Sequence, residues 1–216
     1  MKKTEVKLNV SANTAADLRK IKQYAELRLA VEYGEEVKPV VSAETGQAEG
    51  IYLIYADGHS EPYTGSNDKK DVAYIGVSFA GHRFALALTE KEAQLLQDDT
   101  KATTRESYKK RECDALYDYD SFGNTEKLVA DNGTLADLLN PGEAIPALGV
   151  LVIVCHLKKQ INDALAYVGG EQLTDNWYWS STESSENSAW GVNFSRGYVY
   201  NLNKYNGIAV RAVAAF

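Results

Sequence analysis

Histidine and cysteine side chains are the first groups in this sequence that could carry catalysis or hold a metal ion. The three histidines, His59, His82 and His156, stand far apart, and none lies in an HExxH pattern or beside an acid at ligand spacing. Cys113 and Cys155 are too distant for a CxxC element and too few for a disulfide scaffold, so we expect free thiols that pack as small hydrophobic groups. These residues therefore predict no cofactor, no metal site and no redox centre.

The carboxylates give two further patterns. Glu183 and Glu186 have the residue types of an acid and base pair, but glutamates in a loop are ordinarily solvent-exposed, and we expect that here. Asp114, Asp118 and Asp120 lie in the run DALYDYDSFGN, which lacks the spacing of an EF-hand and is interpreted as a solvated loop. The EPN, QPD and WND patterns of calcium lectins are absent from the tail. The sequence therefore favours a protein that is not an enzyme.

The C-terminal part of the sequence indicates binding to another molecule. Asn, Ser, Tyr and Gly fill 15 of the 25 positions from 184 to 208. Tyrosine offers a large, stiff contact area, while Ser, Asn and Gly adapt their hydrogen bonds. Ordinary surface loops and edge strands have a similar composition, so composition alone leaves both interpretations open.

The whole-chain composition is that of a folded protein. Its 216 residues, 44% hydrophobic and 25% charged, fit one main domain with a small extension. A formal charge of −7 without a Lys/Arg run argues against nucleic acid and anionic membrane surfaces as partners. MKKTEVKLNV lacks the apolar region of a signal peptide, and no segment has the about 18 apolar residues of a membrane span. We expect no direct membrane insertion and, unless a leader has been removed, a soluble chain.

An N-terminal arm precedes the elements that position the C-terminal residues. Residues 14–33 carry an apolar stripe at helical spacing, which predicts an amphipathic helix. A polar segment containing Pro39 follows, so we assign residues 1–49 to the arm and residues 50–216 to the main domain. The stripe needs a covering surface, which is either the main domain or a second copy of the chain.

The middle of the chain predicts two hairpins followed by helices. Asp57-Gly58 and Ala80-Gly81 interrupt β-rich runs and predict turns. The predicted helices are a surface helix over 89–112 with Ala93, Leu95 and Leu96 inward, and two main helices over 125–139 and 149–168, the second closed by Gly169-Gly170.

The tail predicts short antiparallel strands with one buried face. Trp190, Val192 and Phe194 alternate with small or polar residues. Arg196-Gly197 predicts a turn, Asn206-Gly207 predicts a hairpin, and residues 208–216 predict a final strand. Helices ahead of short antiparallel strands indicate an α+β fold.

The tail also resembles a known family. The runs NWYWSSTE, AWGVNFSRG and AVRAVAAF are similar to the C-terminal ends of the variable proteins of diversity-generating retroelements from gut bacteria and their phages. The segment IPALGVLVIVCHLKKQINDALAYVGGEQL resembles the helix and Gly-Gly turn that precede those ends. The resemblance covers about residues 50–216. Ala209 and Ala212 depart from it, since an aromatic residue and a proline are common at these positions.

The resemblance implies a C-type-lectin fold of the type shared with formylglycine-generating enzymes, with a variable region at about residues 178–209. In that family, reverse transcription of a template repeat randomises adenines, so that Asn codons diversify. The implied role is ligand or receptor binding on a phage tail, and thus on the virion, or at a cell surface, with a protein or cell-surface receptor as partner and a homo-oligomer, such as a trimer, as the assembly. Two alternatives stay open: a structural or assembly protein of a virion with no external ligand, and a carbohydrate-binding lectin.

The resemblance also divides the tail into two sets of positions. Outward-facing variable positions are expected to bind the ligand, and their neighbours are expected to form the scaffold. The variable set is Ser184, Asn187, Ser188, Gly191, Arg196, Tyr198, Tyr200, Asn201, Leu202, Asn203, Tyr205 and Ile208. The scaffold set is Trp179, Ser180, Ser181, Trp190, Val192, Phe194, Gly197, Val199, Val210, Arg211 and Val213.

Overall fold

A computed structural model describes residues 48–97 and 102–216 of the chain. These residues belong to one unit, which begins at Gln47. The predicted arm, apart from its last two residues, and its amphipathic helix at 14–33 lie outside the described residues. The described part is an α+β structure with mostly antiparallel sheets, as the sequence predicts.

Along the described residues, five strands are followed by a mainly helical block and then by five further strands. The strands, in chain order, are β1 Gly50–Tyr55, β2 Ser60–Pro62, β3 Val72–Phe79, β4 His82–Ala87, β5 Lys91–Ala93, β6 Glu143–Ala144, β7 Trp177–Glu183, β8 Ser188–Asn193, β9 Tyr198–Asn203, β10 Ile208–Val210 and β11 Val213–Ala214. The helices are α1 Glu112–Ala115, α2 Ser121–Asp131, α3 Leu148–His156 and α4 Lys158–Val168, with a 3-10 helix at Gly133–Leu138.

Two sheets organise these strands. The larger has the order β2-β1-β3-β4-β11-β6 and is antiparallel throughout. The smaller has the order β5-β10-β7-β8-β9, in which only the β10 and β7 pair is parallel. The predicted turns join β1 to β2 and β3 to β4, where Gly58, Ala80 and Gly81 have φ of 87°, 49° and 79°. Such left-handed conformations suit tight hairpin turns.

The helical predictions are confirmed in part. The second main helix is present but divides at Leu157 into α3 and α4, and Gly169 ends it with φ of 80°. The first predicted main helix, over 125–139, corresponds to two elements, α2 and the 3-10 helix. The prediction of a surface helix over 89–112 is wrong, because β5 pairs with β10 and the helix α1 contains only four residues. A strand partner more than 100 residues away outweighs the local Ala/Glu/Lys composition, although Ala93, Leu95 and Leu96 are buried as predicted.

The last nine residues do not form one strand. β10 lies in the smaller sheet and β11 in the larger sheet, so the chain crosses between them at Arg211 and Ala212. The hairpin predicted at Asn206-Gly207 is also wrong, since β10 pairs with β7 and β5 rather than with β9. Residues 204–207 form a turn, but this turn leads to a strand that β7 and β8 separate from β9 in the sheet.

Two hydrophobic clusters hold the fold together. The larger cluster packs α3 and α4 against the larger sheet and against one face of β7 and β8, and it contains Tyr178, Trp190, Val192 and Phe194. The smaller cluster covers the opposite face of β7 and β8 around Trp179. Both faces of these two strands are therefore buried over most of their length, whereas β9 lies at the edge of the sheet.

Candidate functional site

Strand β7 anchors the tail to both clusters. Tyr178 and Trp179 point to opposite faces of the sheet, and each is fully buried. The hydroxyl of Tyr178 donates to Glu90 Oε2 at 2.6 Å, and Nε1 of Trp179 donates to the carbonyl of Ala93 at 3.0 Å. Burial, followed by the hydrogen bond to Glu90, raises the pKa of Tyr178 above its usual value. These contacts place Trp179 in the scaffold, as predicted.

The Ser-Ser-Thr run of β7 connects the sheet to helix α3. The pairing of β7 with β8 shifts register between Trp179 and Glu183, and this irregularity frees the intervening residues for other partners. Ser181 N donates to the carbonyl of Pro146 at 2.8 Å, and Leu148 N donates to the hydroxyl of Thr182 at 2.9 Å. Thr182 therefore supplies the hydrogen bond that the first turn of α3 needs from outside the helix.

Strand β8 confirms the predicted inward face and corrects the predicted outward one. Trp190, Val192 and Phe194 are buried, with 6%, 1% and 5% of their surfaces exposed. Gly191, on the opposite face, is buried as well. A Cβ placed on it would lie 2.9 Å from the carbonyl oxygen of Tyr178 and 2.9 Å from Cδ1 of Leu202. Gly191 therefore does not face outward, because the covered second face of β8 has no room for a side chain.

Strand β9 carries the exposed part of the predicted site. Its register with β8 is regular and runs from the Asn193 and Tyr198 pair to the Ser188 and Asn203 pair. Tyr198 and Tyr200 are 59% and 62% exposed, which is unusual for rings of this size. Because β9 is an edge strand, four of its six side chains are exposed, and only Val199 and Leu202 pack against the clusters.

The twelve predicted ligand-binding positions separate into three groups. The exposed group is Asn187, Arg196, Tyr198, Tyr200, Asn201 and Asn203. The half-buried group is Ser188, Leu202, Tyr205 and Ile208, in which Leu202 and Ile208 pack against the smaller cluster. The buried group is Ser184 and Gly191. The expected outward orientation is therefore wrong for Ser184, whose surface is only 5% exposed, and for Gly191; the binding roles themselves stay predictions.

The predicted scaffold positions are buried except at two sites on the hairpin formed by β8 and β9. Gly197 is exposed, and its φ of 69° fits the turn predicted at Arg196-Gly197. Val199 is half buried at the edge of the larger cluster. The buried scaffold residues are Trp179, Ser180, Ser181, Trp190, Val192, Phe194, Val210, Arg211 and Val213.

A buried charge network fixes the turn after β9 to the end of β7. Lys204 Nζ donates to Glu183 Oε1 at 2.5 Å and to the carbonyl of Glu186 at 2.7 Å. Arg105 Nη1 lies 3.2 Å from Glu183 Oε1 and 2.7 Å from Asp131 Oδ2. Glu183 is thus a buried structural carboxylate, and the expectation that it is solvent-exposed is wrong. Glu186 is exposed as expected.

The Arg105 and Asp131 pair has shifted ionisation. Burial by itself lowers the pKa of Arg105, but the hydrogen bond with Asp131 and the charge of Glu183 outweigh burial and raise it. Burial by itself raises the pKa of Asp131, but hydrogen bonds from Arg105 and Thr103 hold it below its usual value. Both groups therefore stay charged inside the fold, and each stabilises the ionised form of the other.

Arg211 joins the tail to the middle of the chain. Its side chain is fully buried, and its guanidinium donates to the carbonyl of Ala87 at 3.2 Å, to Glu90 Oε2 at 3.2 Å and to the carbonyl of Glu171 at 2.9 Å. The planar guanidinium can serve three acceptors from different segments. The arginine of the AVRAVAAF run is therefore a cross-link at the point where the chain passes from one sheet to the other.

A pocket lies beside the exposed tyrosines. It has a volume of about 410 Å³ and is lined by Glu112, Trp177, Gly197, Tyr198, Val199 and Tyr200. Trp177 and Glu112 are not among the binding positions predicted from the sequence. Trp177 stands two residues before the buried Trp179, and this spacing in a strand indicates the same face. Nothing in the sequence points to Glu112, because it reaches the pocket from a helix 65 residues before Trp177.

The other residues with catalytic potential make structural contacts. His82 stacks on Tyr119 with ring centroids 3.8 Å apart, and burial lowers its pKa. His59 stacks on Tyr55, and the ring of His156 lies 5.4 Å from that of Phe79.

The acidic run at 114–120 serves the local fold. Asp118 Oδ2 accepts from Asn124 Nδ2 at 2.7 Å and from the hydroxyl of Thr182 at 2.9 Å, and Asp120 Oδ1 accepts from Gly123 N at 3.0 Å to cap α2. Asp114 pairs with Arg111. The carboxylates of the run thus point to different partners rather than to one centre. Within residues 48–97 and 102–216, no three His, Cys, Asp or Glu side chains are grouped so that they could hold a metal ion. Over the same ranges, no helix has both the length and the apolarity that a bilayer crossing requires.

Comparison with known proteins shows a solved structure whose fold is similar to that of this chain. No protein-family model matches the chain, and no curated protein matches it. One solved structure with a similar fold is that of a fimbrial protein from Bacteroides ovatus ATCC 8483, with a TM-score of 0.60 and 16% sequence identity. The match covers 79% of this chain and 49% of that protein, so the chain spans about half the length of its structural neighbour.

Proposed function

We propose that this chain is a non-enzymatic ligand-binding protein that contacts a protein or cell-surface receptor through strand β9 and the turns beside it. In this proposal it is a variable protein of a diversity-generating retroelement with a C-type-lectin fold. It acts at the tip of a phage tail or at a cell surface.

One observation carries the proposal. Six of the twelve predicted contact positions are exposed on or beside one edge strand, while Trp179, Trp190 and Arg211, a few residues away in sequence, are buried. A protein that must accept many side chains at its contact surface needs this separation, because substitutions at exposed positions usually change stability by about 0.5 kcal/mol or less. The exposed tyrosines and asparagines also have the composition of a protein-binding surface.

The contacts of the other candidate residues support a role without catalysis. The three histidines pack against aromatic rings in different parts of the fold. The carboxylate of Glu183 is paired with Lys204 and Arg105, so it is not available for acid and base chemistry. Specificity of binding is then a matter of which side chains β9 presents.

Binding to whole cells tests this function. We expect the purified protein to bind cells of the host that carries its receptor, measured by flow cytometry across a panel of gut bacteria. The triple variant Tyr198→Ala/Tyr200→Ala/Tyr205→Ala should lose binding, and Tyr117→Ala, which removes a ring that is 81% exposed elsewhere, should keep it. Equal binding by the triple variant and the parent chain would refute the proposed contact surface.

The neighbouring DNA tests the retroelement origin. We expect a near-copy of the codons for residues 178–209, differing at adenines, beside a reverse transcriptase gene. Among sister copies of the gene, differences should concentrate at the six exposed positions and spare Trp179, Trp190 and Arg211. Substitutions spread evenly over both sets would contradict the proposal.

An assembly protein is the second candidate. The structural neighbour is described as a fimbrial protein, which supports a surface or assembly role. This candidate predicts that the purified chain forms oligomers and binds no cell. Sedimentation equilibrium of the parent chain, together with the cytometry above, separates the two candidates.

A further inference from the structure

Strand β9 has hydrogen-bonding groups that face away from the sheet. Lys204 N donates to the carbonyl of Asn187 at 3.0 Å, in continuation of the register between β9 and β8. In an antiparallel pair, successive residues direct their N–H and C=O groups alternately toward and away from the partner strand. Tyr198, Tyr200 and Leu202 therefore bond to β8, whereas Val199 and Asn201 direct their backbone groups outward.

Among the residues that the structure describes, the outer edge of β9 lacks the usual protection of an edge strand. Natural proteins cover such edges, shorten them, or place charges, prolines or bulges on them. β9 has the sequence YVYNLN, without a charge or a proline, and its register with β8 is regular over all six residues. Within residues 48–97 and 102–216, no strand pairs with this edge. The edge is thus regularly paired over six residues and uncharged, which is a form that accepts a further strand.

The pocket next to Tyr198 and Tyr200 suits a positively charged side chain. Among its six lining residues, Glu112 carries the only charge, and Trp177, Tyr198 and Tyr200 supply three aromatic rings. A cation gains from a carboxylate and from the faces of aromatic rings together. Arg196 lies nearby, with its guanidinium 6.0 Å from the centre of the Tyr198 ring, at the outer limit of a cation–π contact.

We infer that the receptor is recognised through an extended polypeptide segment that adds to β9 as a sixth strand of the smaller sheet and places a Lys or Arg side chain in the Glu112 pocket. Main-chain hydrogen bonds supply affinity in such complexes, and side-chain pockets supply specificity. Backbone pairing requires the outward N–H groups of β9, which every residue except proline supplies, and it requires no particular side chain at positions 198 to 203. A diversified edge strand therefore keeps a constant mode of binding while its side chains change the sequence that it selects.

This inference rests on the proposed function, and a matched pair of variants separates the two. Asn201→Pro removes the outward N–H of Asn201, while the hydrogen bonds of Tyr200 and Leu202 to β8 remain. Asn201→Ala removes the same side chain and keeps the N–H. The probe is a fluorescently labelled, end-blocked peptide of sequence TVTKTVT, and fluorescence anisotropy measures its binding to the full chain.

We expect the parent chain and Asn201→Ala to bind the peptide within about twofold of each other, and Asn201→Pro to bind about tenfold more weakly, as the loss of a main-chain hydrogen bond predicts. A peptide with Glu in place of Lys should bind about tenfold more weakly than TVTKTVT, and Glu112→Gln should remove most of that preference. Circular dichroism melting of Asn201→Pro checks that the variant retains its fold. If the variant does not fold, the parent chain is tested instead with the same peptide N-methylated at alternate residues. The N-methylated peptide should not bind.

Three results would overturn the inference. The first is no binding of TVTKTVT at millimolar concentration. The second is equal binding of the N-methylated peptide. The third is a concentration-dependent dimer of the parent chain that Asn201→Pro abolishes, which would assign the edge to a second copy. If any of these occurs while the triple tyrosine variant still loses cell binding, the proposed function stands and strand addition fails.

Discussion

Lys204 and Glu183 form an ion pair inside the fold: the ammonium of Lys204 lies 2.5 Å from Glu183 Oε1, and their side chains are 1% and 6% exposed. The pair joins the turn after the exposed strand β9 to the end of the buried strand β7. The exposed strand β9 is therefore held at one end by a buried ion pair.

Removal of the lysine should destabilise the protein strongly. We expect Lys204→Met to lower the free energy of unfolding by about 3–5 kcal/mol, because it leaves Glu183 buried without its nearest cation. Urea unfolding measures the loss. The double variant Lys204→Met/Glu183→Gln should lose less than the sum of the two single variants, since no charge is then left without its partner. A loss below about 0.5 kcal/mol for Lys204→Met, the scale of an ordinary surface change, would show that the pair is not buried in solution.

Gly191 should not tolerate a side chain. We expect Gly191→Ala to lower the free energy of unfolding by about 1–3 kcal/mol, the usual cost of overpacking, because the new Cβ meets the backbone of Tyr178. Asn201→Ala, on the neighbouring edge strand, is the control and should change stability by less than about 0.5 kcal/mol. Thermal melting of both variants checks the difference, and equal melting temperatures would mean that β8 is open on this side.

The aromatic residues of the tail should divide into a stabilising set and a binding set. We expect Trp190→Ala to cost about 3–5 kcal/mol, because it empties a large buried site, and it also removes the indole that donates to the carbonyl of Lys109 at 2.7 Å. The triple variant at Tyr198, Tyr200 and Tyr205 should leave the melting temperature almost unchanged. A large drop for the triple variant would place these rings in the core.

Stability should fall in acid partly through Asp131. Its pKa is lower in the folded protein than its usual value, so the folded protein binds this proton less readily than the unfolded chain does. The contribution of Asp131 is therefore complete above the usual pKa of an aspartate and is lost as the pH falls through its lowered folded pKa. Urea unfolding over this acid range should show a smaller decline for Asp131→Asn than for the parent chain. Parallel declines would show that Asp131 does not contribute to the pH dependence.

Several features of this protein follow from the sequence alone. The alternation of Trp190, Val192 and Phe194 predicts a strand with a buried face, and the turn residues at Ala80-Gly81 and Arg196-Gly197 predict reversals of the chain. These features are local. The side chains of any strand alternate between its two faces, and any left-handed turn favours the same few residue types. The α+β class follows from the order of such elements.

The tertiary structure alone decides which faces are covered. The second face of β8 is buried because Leu128, Leu135 and Ile145 come from a distant part of the chain to pack beside Trp179. On the same face, Leu202 of β9 and the carbonyl of Tyr178 leave Gly191 no room for a side chain, and no pattern within β8 reveals this. Likewise, Lys204 stands in a polar run that indicates solvent exposure, yet a charged group is buried where partners compensate for its lost hydration. Those partners, Glu183 and the carbonyl of Glu186, meet Lys204 only when the hairpin and sheet have formed, and for that reason the boundary between exposed and buried positions in the tail is a property of the folded molecule.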